Sequence, residues 1–221
     1  AKSNAVATSD YLAKDWPSIM TFSEQLYSYI GESDTKLPNA LAQYFYVDKK
    51  QYPNGFNLTS LKFLGQNGVD PVIEIYDGSR SISTASLLQK VDYSIWAYDY
   101  DIALNEQIYF APGSSFWVVA KFPAGAKNPL GAGKTSQDNV AQYSFYSSNN
   151  GATWTQLTEV LKGSSFEAVS DHLTWAVQAI SKNPDWSQVL NPEPISGEVR
   201  PGESQKVTLT NDGQKLVNGT Y

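Results

Sequence analysis

Short runs of alternating apolar and polar residues recur along this chain of 221 residues, and they constrain its fold more than any other feature. Residues 56–63, 71–76 and 115–122 are typical, since their apolar side chains fall near period two, as in a half-buried strand. Asn-Gly, Asp-Gly and Pro-Gly pairs separate the runs, and glycine permits the positive φ that tight turns need. The pattern predicts an all-β fold, an antiparallel β-sandwich or jelly roll of about eight to ten strands.

Two local signals refine this prediction. Within residues 56–63 the apolar positions slip between Leu58 and Leu61, which indicates a β-bulge. The pair Asn150-Gly151 lies between two aromatic runs, and both residues tolerate a positive φ. We therefore predict a tight hairpin turn at this pair.

The hairpin carries the pattern Ser147-x-Asn149-x-Gly151-x-Thr153-Trp154, which is similar to the Asp-box, with asparagine in place of aspartate. In that motif the polar side chain bonds the turn backbone, the glycine is left-handed and the tryptophan packs beneath. Sialidases contain several copies and three essential arginines, whereas this chain has one copy and two arginines. We interpret the motif as structural.

The scarcity of reactive side chains excludes most classes of enzyme mechanism. The sequence has no cysteine and one histidine, His172, and it lacks the Gly-x-Ser-x-Gly and subtilisin-type motifs of a Ser-His-Asp triad. Residues 125–135 end in Gly-Lys-Thr, but Asn128 stands where a phosphate-binding loop requires glycine, so we predict a flexible loop there. We therefore predict that the chain is not itself an enzyme.

Charge and hydropathy exclude two classes of partner. A net charge of −6 repels the phosphate backbone of nucleic acids and anionic membrane surfaces. No apolar run approaches the roughly 20 residues that a membrane-spanning helix needs. Residues 1–13 do not have the pattern of a signal peptide, so we expect that any export signal lies upstream.

One short stretch combines aromatic and acidic residues and provides the candidate site. Trp96, Tyr98 and Tyr100 would share a face of an extended strand, where planar rings can stack on sugars. Asp99 and Asp101 would likewise share a face, as carboxylates that bind a structural Ca²⁺ do. The alternatives are core packing for the rings, a solvated loop for the acids and, ranked last, glycoside hydrolysis by the two carboxylates. No other cofactor is predicted.

Composition divides the chain into four segments. Residues 1–25 have an irregular pattern, and residues 26–181 contain the predicted sandwich. Residues 182–194 are rich in proline and polar residues and are interpreted as a linker with one short strand. Residues 195–221 are too few to bury a core of their own, so we expect them to be part of a truncated second domain.

An ordered series of short motifs resembles a known family. In chain order the motifs are residues 27–29 (YSY), 42–45 (AQYF), 56–61 (FNLTSL), 74–78 (EIYDG), 116–119 (FWVV) and 146–154 (YSSNNGATW). Residues 25–180 resemble the β-sandwich, jelly-roll-like domain that accompanies subtilisin-like and related peptidases secreted by Bacteroidetes. Residues 195–221 resemble the first half of an immunoglobulin-like repeat of bacterial surface proteins.

The resemblance implies a secreted or cell-surface bacterial polypeptide whose chemistry lies in an upstream catalytic domain. The expected function is that of a non-catalytic accessory module, which stabilises the larger protein or docks it on a substrate or surface. Its expected partners are the upstream catalytic domain and a glycan or protein on a surface. A carbohydrate-binding module is the alternative that the aromatic row suggests.

Overall fold

The structure is a computed structural model that describes residues 19–53, 55–64, 70–92, 99–137, 140–181, 190–193, 206 and 208–211. In this part of the chain the strands are β1 (Ile19–Met20), β2 (Gln25–Ile30), β3 (Asn39–Tyr46), β4 (Phe56–Leu64), β5 (Val72–Asp77), β6 (Leu87–Asp92), β7 (Asp99–Phe110), β8 (Ser115–Phe122), β9 (Leu130–Lys134), β10 (Ser144–Ser147), β11 (Thr155–Gln156), β12 (Leu173–Trp175), β13 (Val177–Ser181), β14 (Leu190–Glu193) and β15 (Thr208–Asn211). Among the described residues, helical structure is limited to α1 (Leu157–Val160) and to 3₁₀ turns at Ile82–Thr84, Ala141–Tyr143 and Glu167–His172. The all-β prediction is confirmed.

Strands β1 to β13 form three antiparallel sheets within the described residues. The largest has six strands in the order β11-β10-β3-β8-β5-β6. A second has four strands in the order β1-β13-β4-β7, and a third has three in the order β12-β9-β2. Strand β14 falls in the predicted linker, residues 182–194, and pairs only with β15 among the described strands.

The inner faces of the three sheets share one hydrophobic core, which makes the body a sandwich. Phe116 of the six-stranded sheet stacks on Phe110 of the four-stranded sheet, with ring centroids 4.3 Å apart. Phe45 and Phe56 stack on the same ring from either sheet, and Trp175 of the third sheet is fully buried. Because each large ring removes on the order of 150–250 Å² from water, this aromatic cluster is a major source of stability.

The two local signals in the sequence are confirmed. The pairing of β4 with β7 shifts register between Leu58 and Ser60, where a bulge was predicted. At the predicted turn, Asn150 has φ of 57° and Gly151 has φ of 86°. Both residues therefore adopt the left-handed conformation that a tight hairpin turn requires.

The predicted flexible loop at residues 125–135 is wrong, because Leu130–Lys134 is the central strand of the three-stranded sheet. A Cβ atom at Gly131 would lie 2.2 Å from the carbonyl oxygen of Leu64, and one at Gly133 would overlap Ser23. Glycine is needed here because neighbouring chain segments approach closely, rather than because the segment is mobile.

The apolar run at residues 172–180 forms two strands rather than one. The segment is divided at Ala176 into β12 and β13, which belong to different sheets. His172 lies just before β12, at the end of a 3₁₀ turn, and its side chain is exposed.

Candidate functional site

The site predicted from the sequence lies mostly beyond what the structure describes. Trp96 and Tyr98 fall outside the described residues. Asp99, Tyr100 and Asp101 begin β7, where their backbone pairs with the end of β4. The sugar-binding and Ca²⁺ hypotheses for these residues therefore stay predictions. Among the described side chains, no three His, Asp or Glu residues are grouped closely enough to hold a metal ion.

The outer face of the six-stranded sheet has the geometry of a binding site. Alternation along β5 directs Ile73 and Ile75 into the core, and it places Glu74 and Tyr76 on the opposite face. Lys121 of the neighbouring strand β8 lies on the same outer face. Charged side chains are thereby grouped on a sheet whose other face is apolar.

These three side chains form one hydrogen-bonded unit. Lys121 Nζ lies 2.7 Å from Glu74 Oε2, and the Tyr76 hydroxyl donates to the same oxygen at 2.5 Å. Burial, together with the acceptor Glu74, raises the pKa of Tyr76 well above its usual range. The phenol therefore stays neutral and remains a hydrogen-bond donor at ordinary pH.

The ion pair is largely removed from solvent, with the side chains of Lys121 and Glu74 only 20% and 11% exposed. The cost of desolvating two charges offsets most of their attraction in such a place. The pair therefore adds little to stability compared with apolar residues of similar size. Its clearest consequence is to fix a cationic donor and an anionic acceptor beside each other on the surface.

The Asp-box-like hairpin covers one side of this unit. Ser147 Oγ accepts a hydrogen bond from the Gly151 amide at 2.9 Å, and Asn149 Oδ1 accepts one from the Thr153 amide at 2.9 Å. Trp154 packs on the outer-face cluster that includes Trp117. The structural interpretation of the motif is confirmed, because its polar residues bond the turn and its tryptophan packs on the sheet.

The turn also fits closely against the ion pair. A Cβ atom at Gly151 would lie 3.1 Å from both Lys121 Cε and Trp154 Cζ2. The left-handed glycine thus lets the backbone lie between the lysine stem and the indole ring. The hairpin motif therefore holds Trp154 at a fixed place next to Lys121.

Two pockets meet at Lys121, and we call them together the outer-face groove. The larger has a volume of about 440 Å³ and is lined by Pro38, Asp70, Val72, Glu74, Lys90, Lys121, Pro123, Ala124 and Asn150. The smaller has a volume of about 250 Å³ and is lined by Tyr76, Ile82, Ser83, Ala85, Lys121, Gly151, Ala152 and Trp154. The larger volume alone lies in the range of small-molecule sites, roughly 300–1,000 Å³.

Sequence reasoning missed this groove. Trp154 was assigned to packing, whereas it both packs on the sheet and lines the groove. A usable signal was present in the sequence, because Glu74 and Lys121 interrupt the apolar runs of strands β5 and β8. A charge within a buried strand calls for a partner, and here each charge is the other's partner.

Comparison with known proteins shows similarity at the level of fold. No protein-family model matches the sequence, and no curated protein matches it. A solved structure of the clostridial cysteine protease Cwp84 after propeptide cleavage is similar, with a TM-score of 0.50 and 13% identity. The match covers 75% of this chain and 40% of that one.

A second solved structure contains the cysteine protease and lectin-like domains of Cwp84, a surface layer associated protein of Clostridium difficile. It matches with a TM-score of 0.45 and 12% identity, over 66% of this chain and 32% of that one. This chain thus spans less than half the length of either structure. In the part of the chain that the structure describes, no helix combines the length and apolar character needed to cross a membrane.

Proposed function

We propose that this chain is a non-catalytic accessory module of a larger secreted or cell-surface bacterial protein, a peptidase, and that it docks that protein on a substrate or surface. The outer-face groove is the observation that carries this proposal. It is concave, and the ion-paired donor and acceptor that line it are held in place by the sheet and the hairpin.

The chemistry of the groove suits binding better than catalysis. General acid–base work needs a group that exchanges protons readily, and nucleophilic work needs a hydroxyl or thiol beside a base. The carboxylate of Glu74 is instead held by the Lys121 ammonium and the Tyr76 hydroxyl. Both contacts occupy acceptor positions of the carboxylate that a catalytic role would require.

Two observations support a peptidase as the larger protein. The ordered sequence motifs resemble the domain that accompanies secreted Bacteroidetes peptidases. The fold resembles part of a clostridial cysteine protease, and the match covers 40% of that protein's chain. Since this chain has no cysteine, a cysteine-protease activity would have to reside in another domain.

An immunoblot of the source bacterium tests this proposal. An antibody against this chain should detect a polypeptide longer than 221 residues in the medium or on the cell surface. Immunoprecipitated material should cleave peptides, whereas the purified chain should not. A polypeptide of this length alone in the cytoplasm, or peptide cleavage by the purified chain, would contradict the proposal.

A further inference from the structure

We propose that the outer-face groove binds a neutral polysaccharide, an inference that rests on the proposed docking function and gives its ligand a chemical class. Four charged residues line the larger pocket. Asp70 and Glu74 contribute two negative charges, and Lys90 and Lys121 contribute two positive charges. The pocket is therefore electrically balanced.

A balanced pocket disfavours ligands with a net charge. An anionic ligand that bound a remaining donor of Lys121 would place its charge beside Glu74, which lies 2.7 Å from the same ammonium. Glu74 would then remain mostly buried beside a second negative charge, which costs far more than one new contact returns. The same argument applies to a cationic ligand at Glu74, so a neutral ligand fits best.

The ion pair still has hydrogen-bonding capacity for such a ligand. An ammonium has three donors, and a carboxylate has about four acceptor positions. The contact between Lys121 and Glu74 uses one of each, and Tyr76 uses one further acceptor position. Adjacent hydroxyl groups on a sugar ring are both donors and acceptors, and they match a donor and an acceptor fixed side by side.

The indole of Trp154 supplies the apolar part of the site. This ring is partly exposed and lines the groove next to Lys121. A sugar ring has an apolar face of C–H groups, and such a face stacks on a planar aromatic ring. The Asn150 side chain, which is exposed at the hairpin turn, adds an amide donor and acceptor along the same groove.

The groove is preformed, which reduces the ordering cost of binding. Tyr76 holds Glu74, Glu74 holds Lys121, and the Gly151 backbone lies against both Lys121 and Trp154. Side chains that are already immobilised lose little conformational entropy when a ligand arrives. A polysaccharide, whose single units bind weakly, depends on this saving.

The shape of the groove argues against a folded protein as the ligand. A stable protein interface buries roughly 800 Å² on each partner around an apolar or aromatic centre. Here two small pockets meet at a charged lysine, and the partly exposed rings of Tyr76 and Trp154 line the smaller one. Such a surface suits a narrow hydroxyl-rich chain.

Affinity gel electrophoresis tests the inference directly. The purified chain is run through native gels that contain mannan, mixed-linkage β-glucan, arabinoxylan or dextran, and through gels with polygalacturonate, alginate or denatured casein. We expect at least one neutral polysaccharide to retard the chain and none of the anionic polymers or casein to do so. Trp154→Ala and Lys121→Gln should each weaken the retardation about tenfold, the loss of one good contact.

Matched controls separate the groove from general effects. Tyr27→Ala removes an aromatic side chain that is 44% exposed on β2, and Lys162→Gln breaks another 2.7 Å lysine–glutamate pair whose residues do not line the groove. Both variants should be retarded like the parent chain. Near-UV circular dichroism shows which variants retain the fold, and Tyr76→Phe, which keeps the ring, provides a mild third change in the groove.

Three results would overturn the inference: no retardation by any neutral polysaccharide, retardation only by an anionic polymer or casein, or equal retardation of folded groove variants and controls. The docking proposal is judged separately by the immunoblot. A chain that lies in a longer surface peptidase and binds no polysaccharide refutes only the ligand class. A chain that binds polysaccharide and occurs alone in the cytoplasm refutes only the docking proposal.

Discussion

The two faces of the six-stranded sheet are built from the same strands but have opposite characters. On the inner face Ile73, Phe116 and Val118 are fully buried and belong to the core that joins all three sheets. On the outer face Glu74 and Lys121 form an ion pair beside a groove. Neighbouring residues of one strand thus take part either in the stability of the fold or in a candidate binding surface.

The difference arises from how each face is assembled. The inner face needs only apolar residues at alternate positions, and many combinations of them would fill it. The outer face needs particular residues in register, since Ala42, Val119, Glu74 and Lys90 lie opposite one another across four strands. Substitutions on the two faces should therefore differ in what they impair.

The largest effect is expected for Phe116→Ala on the inner face. Phe116 has no exposed surface and stacks on Phe45, Phe56 and Phe110. Removal of such a ring leaves a cavity and costs about 3–5 kcal/mol of unfolding free energy. Equilibrium denaturation in urea measures this loss, and a loss below about 1 kcal/mol would show that the face tolerates cavities, contrary to a tightly packed core.

A smaller effect is expected for Ser147→Ala in the hairpin that covers the outer face. Ser147 is 2% exposed, and its hydroxyl accepts the amide of Gly151. Without this acceptor the partly buried amide loses a partner, which costs about 1–2 kcal/mol. Ser148→Ala, at an exposed position beside it, should change stability by less than about 0.5 kcal/mol. Equal effects of the two changes in urea denaturation would contradict this description of the turn.

A loss of about 1 kcal/mol is expected for Tyr76→Phe on the outer face itself. The change removes only the hydroxyl that donates to Glu74 at 2.5 Å and leaves the ring in place. Thermal and urea unfolding, compared with Tyr46→Phe at a position that is 47% exposed, measure the difference. If the two variants lose the same unfolding free energy, the Tyr76 hydroxyl does not stabilise the ion pair.

The smallest expected effect is on the pH dependence of folding stability, through the carboxyl group of Asp77 at the end of β5. Burial raises the pKa of Asp77, but hydrogen bonds from Ser79 and Ser86 lower it by more, so it lies below its ordinary value. The folded state therefore favours the carboxylate, and this stabilisation is complete above the unfolded pKa of about 3.9 and is lost as the pH falls through the folded value.

Asp77→Asn should accordingly reduce stability near neutral pH and flatten its decline on acidification. Thermal melts between about pH 6 and pH 3 follow this decline on both sides of the ordinary carboxyl pKa. Asp171→Asn, at an exposed position, serves as the control and should decline like the parent chain. An unchanged slope in Asp77→Asn would exclude the hydrogen bonds as the source of the pH dependence.

The inner face was largely predictable from the sequence, and the outer face was not. Alternation along residues 71–76 and 115–122 predicted β5 and β8, because burial of one face is a local property of each strand. The contact between Glu74 and Lys121 depends on which strands are neighbours and in which register, and local patterns carry no such information. The hairpin at Asn150 was predictable because its turn residues are adjacent in the chain.

Glycine misled the prediction where its role was tertiary. Residues 125–135 have the composition of a flexible loop, yet Gly131 and Gly133 occur in a strand because other segments pass close to them. Close approach by Leu64 and Ser23 comes from distant parts of the sequence. Composition alone therefore could not distinguish a crowded strand from a mobile loop.

The most direct test of the contrast between the two faces is to measure stability and binding in the same Glu74→Gln/Lys121→Gln preparation. We expect an unfolding free energy within about 1 kcal/mol of the parent chain, because replacing both members of a largely buried ion pair leaves no unpaired charge behind. We also expect a dissociation constant for the neutral polysaccharide about tenfold higher. A variant that loses several kcal/mol of stability while it binds as tightly as the parent would contradict the account.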